Sequence, residues 1–304
     1  MPKQPYGSLG NPALAVLALV LLATAFVYAH ASGTSPQGAG PASVEPAVCP
    51  DSNIQRLSLD RKSANRVIAK PPDYTQGLLF ADGTLYEGTG IVGHSAIYRL
   101  DLAGGPRSKL FALDQRLFGE GLARIGDRFY QLTWKDGLAF AYEYDDKKRS
   151  LRHSKTFRRD GQGWGLTDFA GALVLSDGSE RLSFVDPATF AVKRVVQVRV
   201  GSRAVTYLNE LESVDEAILA NIYGDGRIVS IDPSTGCVDA IIDATPLVAE
   251  MTSDLEALAE PICSGSCSGW DFVLNGIAYD ADKSELYLTG KNWPAIFVYR
   301  DLFG

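Results

Sequence analysis

The chain has 304 residues, 29 Lys+Arg against 36 Asp+Glu, 46% hydrophobic and 10% aromatic residues, and a formal charge of −7. That composition is globular and long enough for one large domain, and the acid excess argues against a nucleic-acid partner, which calls for a basic excess. There are three His, and His30 falls in a segment expected to be removed, so a multi-His metal centre is excluded; HExxH, GxSxG and Walker-type strings are absent as well.

From the amino end, residues 13–29 are apolar apart from Thr24, preceded by one charge, Lys3, and followed by Ala29-His30-Ala31-Ser32. This A-x-A pattern predicts an export signal over residues 1–31, cut after Ala31. An uncleaved anchor facing out of the cytoplasm is the alternative. Residues 32–50 read as a flexible linker, rich in Gly, Pro, Ser and Ala with Glu45 as the lone charge. The exported chain keeps Cys49, Cys237, Cys263 and Cys267, an even number suited to disulfides in an oxidising compartment. Three pairings are open, of which Cys49–Cys237 with Cys263–Cys267 is the expectation.

Residues 51–304 carry a repeat. Five segments alternate as strands, Gly83–Gly90, Asp127–Trp134, Gly171–Gly178, Glu216–Tyr223 and Glu285–Lys291, with starts 44, 44, 45 and 69 residues apart. Each is followed by a second apolar strand ending at an acid: Asp101, Asp145, Asp186, Asp232 and Asp301. Strand pairs with turn punctuation every 40 to 45 residues are the signature of propeller blades, so the expected fold is all-β, a five-bladed β-propeller. A β-sandwich competes but needs no fixed period. The long last step holds the exception, residues 244–258, where Leu247, Met251, Leu255 and Leu258 fall near helical spacing. A short helical, cysteine-containing insertion before the last blade is expected.

A triplet precedes each repeat: Gln76-Gly77-Leu78, Glu120-Gly121-Leu122, Trp164-Gly165-Leu166, Asn209-Glu210-Leu211 and Asn275-Gly276-Ile277, spaced 44, 44, 45 and 66. Equivalent positions of inner strands face the propeller axis, so Gln76, Glu120, Trp164, Asn209 and Asn275 should form a ring. Glu87, Gln131 with Trp134, Ser176, Asn221 with Tyr223, and Lys291 follow at 11 to 16 residues and are expected around the same mouth. Amides in such a ring can simply plug a channel, each satisfied by a hydrogen bond. Glu120 is different, because a carboxylate among Phe118, Trp134 and Trp164 loses hydration and its pKa should rise. His94 and His153 read as ordinary surface residues.

Taken together, Tyr74–Leu78, Leu85–Gly90, Phe118–Leu122, Gln131–Lys135, Gly163–Leu166, Leu208–Glu212, Leu274–Asp280 and Leu288–Pro294 resemble, in order over residues 55 to 304, the plant and bacterial type of glutaminyl-peptide cyclotransferase. The resemblance implies a five-bladed propeller that converts amino-terminal glutamine of peptides to pyroglutamate with release of ammonia, without zinc. It implies Glu120 as acid/base, with Gln76, Phe118, Trp134, Trp164, Asn209 and Lys291 around the substrate; Tyr223 and Asn275 complete the expected substrate-binding set. Gly88 stands where the family usually has Ser, and Tyr223 where an aromatic, often Trp, is expected. No cofactor is expected for catalysis, and a structural Ca2+ in the channel is compatible with the pattern. The partner is a peptide or protein with amino-terminal Gln, and without a coiled-coil pattern the chain should be a monomer. Two rivals remain: a calcium-dependent propeller hydrolase of lactonase type using Glu120, Asn209, Glu210 and Asn275, and a non-catalytic peptide-binding propeller.

Overall fold

The computed structural model describes residues 49–50, 54–145, 147–257 and 271–303. The expected signal segment, nearly all of the linker, and Cys263 with Cys267 lie outside the described residues.

The alternating segments form five antiparallel sheets, the blades of a propeller. Blade 1 runs from its inner strand Thr75–Ala81 through Thr84–Thr89 and Ala96–Leu100 to Ser108–Ala112. Blades 2 and 3 repeat this order from the inner strands Gly119–Ile125 and Leu166–Phe169. Blade 4 starts at Leu208–Val214 and gains a fifth, outermost strand, Gln55–Ser58, which lies parallel to Val238–Asp243. Blade 5, from Leu274–Asp280, is closed by an amino-terminal strand, Arg66–Ala69, paired with Ala295–Arg300. The first residues of the domain thus latch the last blade, and the inner strands touch in sequence around the axis.

Apolar residues of facing sheets interlock between blades. Leu78, Leu85 and Tyr98 of blade 1 meet Ala278, Tyr287 and Ile296 of blade 5, while Val174 and Leu182 of blade 3 meet Leu211, Ile218 and Ile231 of blade 4. The insertion before blade 5 contains the helix Thr245–Ala257, whose first N–H groups include Thr245 N–H donated to the Asp243 carboxylate. Leu247, Met251 and Leu255 are its buried face, packed with Phe272 and Trp293. Cys49 and Cys237 form a disulfide, the first half of the expected pairing. The bridge closes a separation of 188 residues and ties the start of the domain to blade 4.

The axis explains the triplets. In blades 1, 2, 4 and 5 the pairing between inner and second strand slips between Thr75 and Gly77, Gly119 and Leu122, Leu208 and Leu211, and Leu274 and Ile277. Each slip coincides with a ring residue, and a bulge of this kind re-aims the side chain it carries. The following glycine serves contact between blades: a Cβ on Gly77 would lie 2.6 Å from Leu122 N, and one on Gly121 would run into the Gly165–Leu166 backbone.

Blade 4 breaks the pattern with Glu210. Its carboxylate accepts from Leu78 N–H of blade 1 (3.1 Å) and Ile277 N–H of blade 5 (2.8 Å), donors on inner strands that are the free edges of their sheets. Glu212, one step further along the strand, accepts from Tyr279 N–H at 2.8 Å. These buried carboxyls are pushed well above the ordinary range by desolvation, and Glu212 additionally by the charges of Glu210 and Asp168.

A carboxyl whose folded pKa is raised contributes its full stability below the unfolded value, about 4.3, and loses it as pH climbs through the folded value. Urea midpoints should therefore fall with pH above the ordinary glutamate range. In Glu212→Gln, which keeps the acceptor for Tyr279 N–H, that fall shrinks by about 1.4 kcal/mol per unit of lost shift. An unchanged pH slope would show that Glu212 titrates normally.

Candidate active site

One end of the axis opens into a cavity of about 150 Å³ lined by Tyr74, Gln76, Phe118, Glu120, Trp134, Trp164, Asn209, Tyr223 and Lys291. Every lining residue except Tyr74 is an expected site residue. The expected ring sits at the floor, with Gln76, Glu120 and Asn209 buried on the bulged inner strands. The aromatic residues form the wall, Tyr74, Phe118 and Trp164 just before inner strands and Trp134 and Tyr223 just after second strands.

Glu120 is 5% exposed. Gln76 Nε2 donates to Glu120 Oε1 at 3.2 Å. Asn275 Nδ2 in turn donates to Gln76 Oε1 at 3.1 Å and to Thr75 O at 2.9 Å, which fixes the orientation of the Gln76 amide. Asn275 therefore does not line the cavity. It lies fully buried behind Gln76 and reaches the carboxylate only through it.

Burial drives the electrostatics. Desolvation pushes the Glu120 carboxyl well above the ordinary range, and the nearby Lys291 ammonium opposes that rise without cancelling it. Lys291, equally withdrawn from water, is depressed to about 8, with Glu120 and Asp271 pulling the other way. Its Nζ stands 4.5 Å from the Tyr74 ring centroid and 4.9 Å from that of Tyr223, so two ring faces stabilise the ammonium where water cannot. Each of the two groups thus resists its charged form inside the same cavity.

The aromatic wall consists of two arcs. Tyr74 meets Phe118 edge-on at 6.1 Å, Phe118 meets Trp134 at 5.5 Å, and Trp164 meets Tyr223 edge-on at 5.7 Å. Trp134 N–H and Gly163 N–H bond to Phe118 O and Trp134 O, which ties the loops carrying these rings together.

Only part of the expected outer set reaches the mouth. Trp134, Tyr223 and Lys291 do, because each lies just past the end of a second strand. Glu87, Gln131, Ser176 and Asn221 lie within those strands and are turned between the blades. Glu87 pairs with Lys70 at 2.9 Å and accepts from Thr75 Oγ1, Gln131 accepts from Tyr142, Ser176 receives Gly165 N–H and donates to Asn209 O, and Asn221 accepts from Gly276 N–H. None of them lines the cavity, and Ser176 and Asn221 bond backbone at or next to the ring residues Asn209 and Asn275. His94 and His153 are exposed.

Two residues were not singled out from the sequence: Tyr74, and Gln162, whose Oε1 accepts from both indole N–H groups. A signal existed. Phe118 stands two positions before Glu120, and Tyr74 and Gln162 stand two before Gln76 and Trp164. The other end of the channel holds a larger cavity of about 410 Å³, bordered by Asp168, Glu212 and Ser213, with none of the expected site residues. Among the described residues no group of three or more His, Cys, Asp or Glu could hold a metal ion, and both Glu210 oxygens are taken by backbone N–H groups.

Comparison with known proteins agrees with this architecture. The family model described as glutamine cyclotransferase matches residues 45–300. Glutaminyl-peptide cyclotransferase of Arabidopsis thaliana is 37% identical over 229 residues, covering 75% of this chain and 67% of the plant protein. The crystal structure of Myxococcus xanthus glutaminyl cyclase superposes with a TM-score of 0.67 at 33% identity, over 81% of this chain and 97% of that one. The propeller fold is thus shared with the Myxococcus enzyme, and sequence similarity extends to the plant protein. The chain belongs to the glutamine cyclotransferase family.

Proposed function

We propose that the chain cyclises amino-terminal glutamine of peptides and proteins to pyroglutamate, releasing ammonia, with Glu120 carrying the proton. The observation that bears the most weight is a buried carboxylate at the floor of an aromatic cavity, oriented by Gln76 and sharing that cavity with Lys291.

The reaction forms a bond between the α-nitrogen and the side-chain carboxamide carbon, and breaks the bond from that carbon to the amide nitrogen. The amine must give up a proton and the leaving nitrogen must gain one. The free amine has a pKa near 8, so a useful neutral fraction exists around neutral pH. Glu120 takes the proton as the tetrahedral centre forms and hands it to the departing nitrogen, so the carboxylate ends as it began. Its raised pKa makes it a stronger base than a solvated glutamate. Negative charge grows on the carboxamide oxygen, and Lys291 and Asn209 are the donors of the cavity suited to it. Because attacker and target share one residue, the aromatic walls need only hold the side chain curled, which removes orientational freedom before reaction.

This reading extends to setting. A disulfide between Cys49 and Cys237 suits an oxidising compartment, consistent with export directed by residues 1–31, and the chain would act as a monomer. Among the described residues no helix is long and apolar enough to cross a membrane.

In Glu120→Gln, ammonia release from a Gln-Gln peptide should fall by about 10²–10⁴-fold, with the melting temperature unchanged or raised because a neutral amide replaces a desolvated carboxyl. Wild-type release should survive EDTA. Full activity in the variant would end the proton-carrier role, and loss on chelation would favour the calcium-dependent hydrolase.

The Lys291 charge holds the Glu120 pKa down. In Lys291→Met the acid limb of kcat/KM should therefore move to higher pH, as the carboxyl keeps its proton longer. An acid limb that stays in place would mean that another group sets it.

A further inference from the structure

The aromatic wall is a closed collar with one link that is not aromatic. Tyr74, Phe118 and Trp134 form one arc and Trp164 with Tyr223 the other. At one side the arcs meet through a hydrogen bond between the Tyr74 and Tyr223 hydroxyls. At the other side the indoles are joined only through Gln162, whose Oε1 receives Trp134 Nε1–H at 2.8 Å and Trp164 Nε1–H at 3.1 Å. A carbonyl oxygen has two lone pairs, and both are used. Lys135 Nζ sits 3.7 Å from the Trp134 ring centroid, a further restraint on that indole.

Gln162 is exposed and is not among the residues lining the cavity. It lies on a short loop anchored by Gly163 N–H to Trp134 O at 3.0 Å and by Arg159 Nη1 to Gly161 O at 3.2 Å. Its acceptor is therefore delivered by a restrained backbone. Glu120 is at the floor of this cavity and the two indoles line its wall. With an amino-terminal glutamine held at Glu120, the next residue of the peptide lies outward of it, against the two indoles.

We propose that Gln162 is a positioning residue that sets the gap between Trp134 and Trp164, and through it the selectivity for the residue that follows the amino-terminal glutamine. The proposal rests on the glutamine-cyclising reading. Gln162 touches neither the reacting atoms nor Glu120, so its influence falls on binding of the second residue and leaves the proton transfer alone. Tying both indole N–H groups to one acceptor also leaves only ring faces for the peptide, which favours apolar and aromatic second residues over polar ones.

The test compares wild type, Gln162→Leu (similar size, no acceptor), Gln162→Asn (acceptor withdrawn by one methylene) and Gln162→Glu (acceptor kept) on Gln-Phe and Gln-Ala amides. Acrylamide quenching of tryptophan fluorescence is read in parallel. In Gln162→Leu the KM for Gln-Phe should rise about tenfold, as expected for a misplaced binding surface, and the preference for Phe over Ala should shrink. Its kcat and the acid limb of the pH profile should stay near wild type, quenching should increase, and Gln162→Glu should restore both KM and quenching. Gln162→Asn should follow the Leu variant, and it carries the test if the Leu variant does not fold.

Wild-type KM, selectivity and quenching in the Leu and Asn variants would overturn the proposal. So would a Glu variant as impaired as Leu, or a loss confined to kcat. If wild type itself released no ammonia, the glutamine-cyclising reading would fail, while unaltered quenching would separately refute the tie between the indoles.

Discussion

The site depends on keeping one carboxyl group out of water without giving it a full counter-charge. Glu120 sits on the propeller axis at a strand bulge, 5% exposed, with a single amide donor from Gln76 and an ammonium that is itself desolvated. A solvated glutamate is too weak a base to draw a proton from an amine with useful driving force, and one locked in a tight ion pair is weaker still. The fold supplies an intermediate environment, polar enough to tolerate ionisation and dry enough to resist it.

That environment comes from departures within a repeat. Five similar blades bring five inner strands to the axis, and in blades 1, 2, 4 and 5 a bulge at the ring residue re-aims its side chain. Where the blades need close contact, as at Gly77 and Gly121, glycine removes the side chain. Blade 4 places Glu210 at the corresponding point, and its carboxylate gathers N–H groups from blades 1 and 5 across the channel. The channel below the site is thus closed by protein. The buried Lys70–Glu87 pair does related work behind the cavity: it binds Thr75 Oγ1, next to the Gln76 that orients Glu120.

Much of this was legible in the residues. The 44-residue spacing fixed the number of blades, and the triplets placed Gln76, Glu120 and Asn209 on the axis because period and strand position are set by backbone geometry. The helix at Thr245–Ala257 was visible from Leu247, Met251 and Leu255. The latch strand Arg66–Ala69 was not: it is four residues long, largely exposed, and paired across more than two hundred residues of sequence. Glu210 read as a metal ligand of a rival function because its hydrogen-bond partners are backbone groups, which sequence does not mark. Asn275 occupies the ring position of the last triplet yet does not line the cavity, since it spends its amide on Gln76. Gln162 was hidden for the opposite reason, being a polar loop residue whose role exists only when two distant indoles converge on it.

The most direct test is an infrared titration of the Glu120 carboxyl itself, taken as the difference between wild type and Glu120→Gln across the pH range in which kcat/KM is measured. The account requires a protonated-carboxyl band that persists above the ordinary glutamate range, near 4.3, and disappears with the same midpoint as the acid limb of kcat/KM. A band that vanishes at the ordinary value, or a midpoint unrelated to that limb, would contradict it.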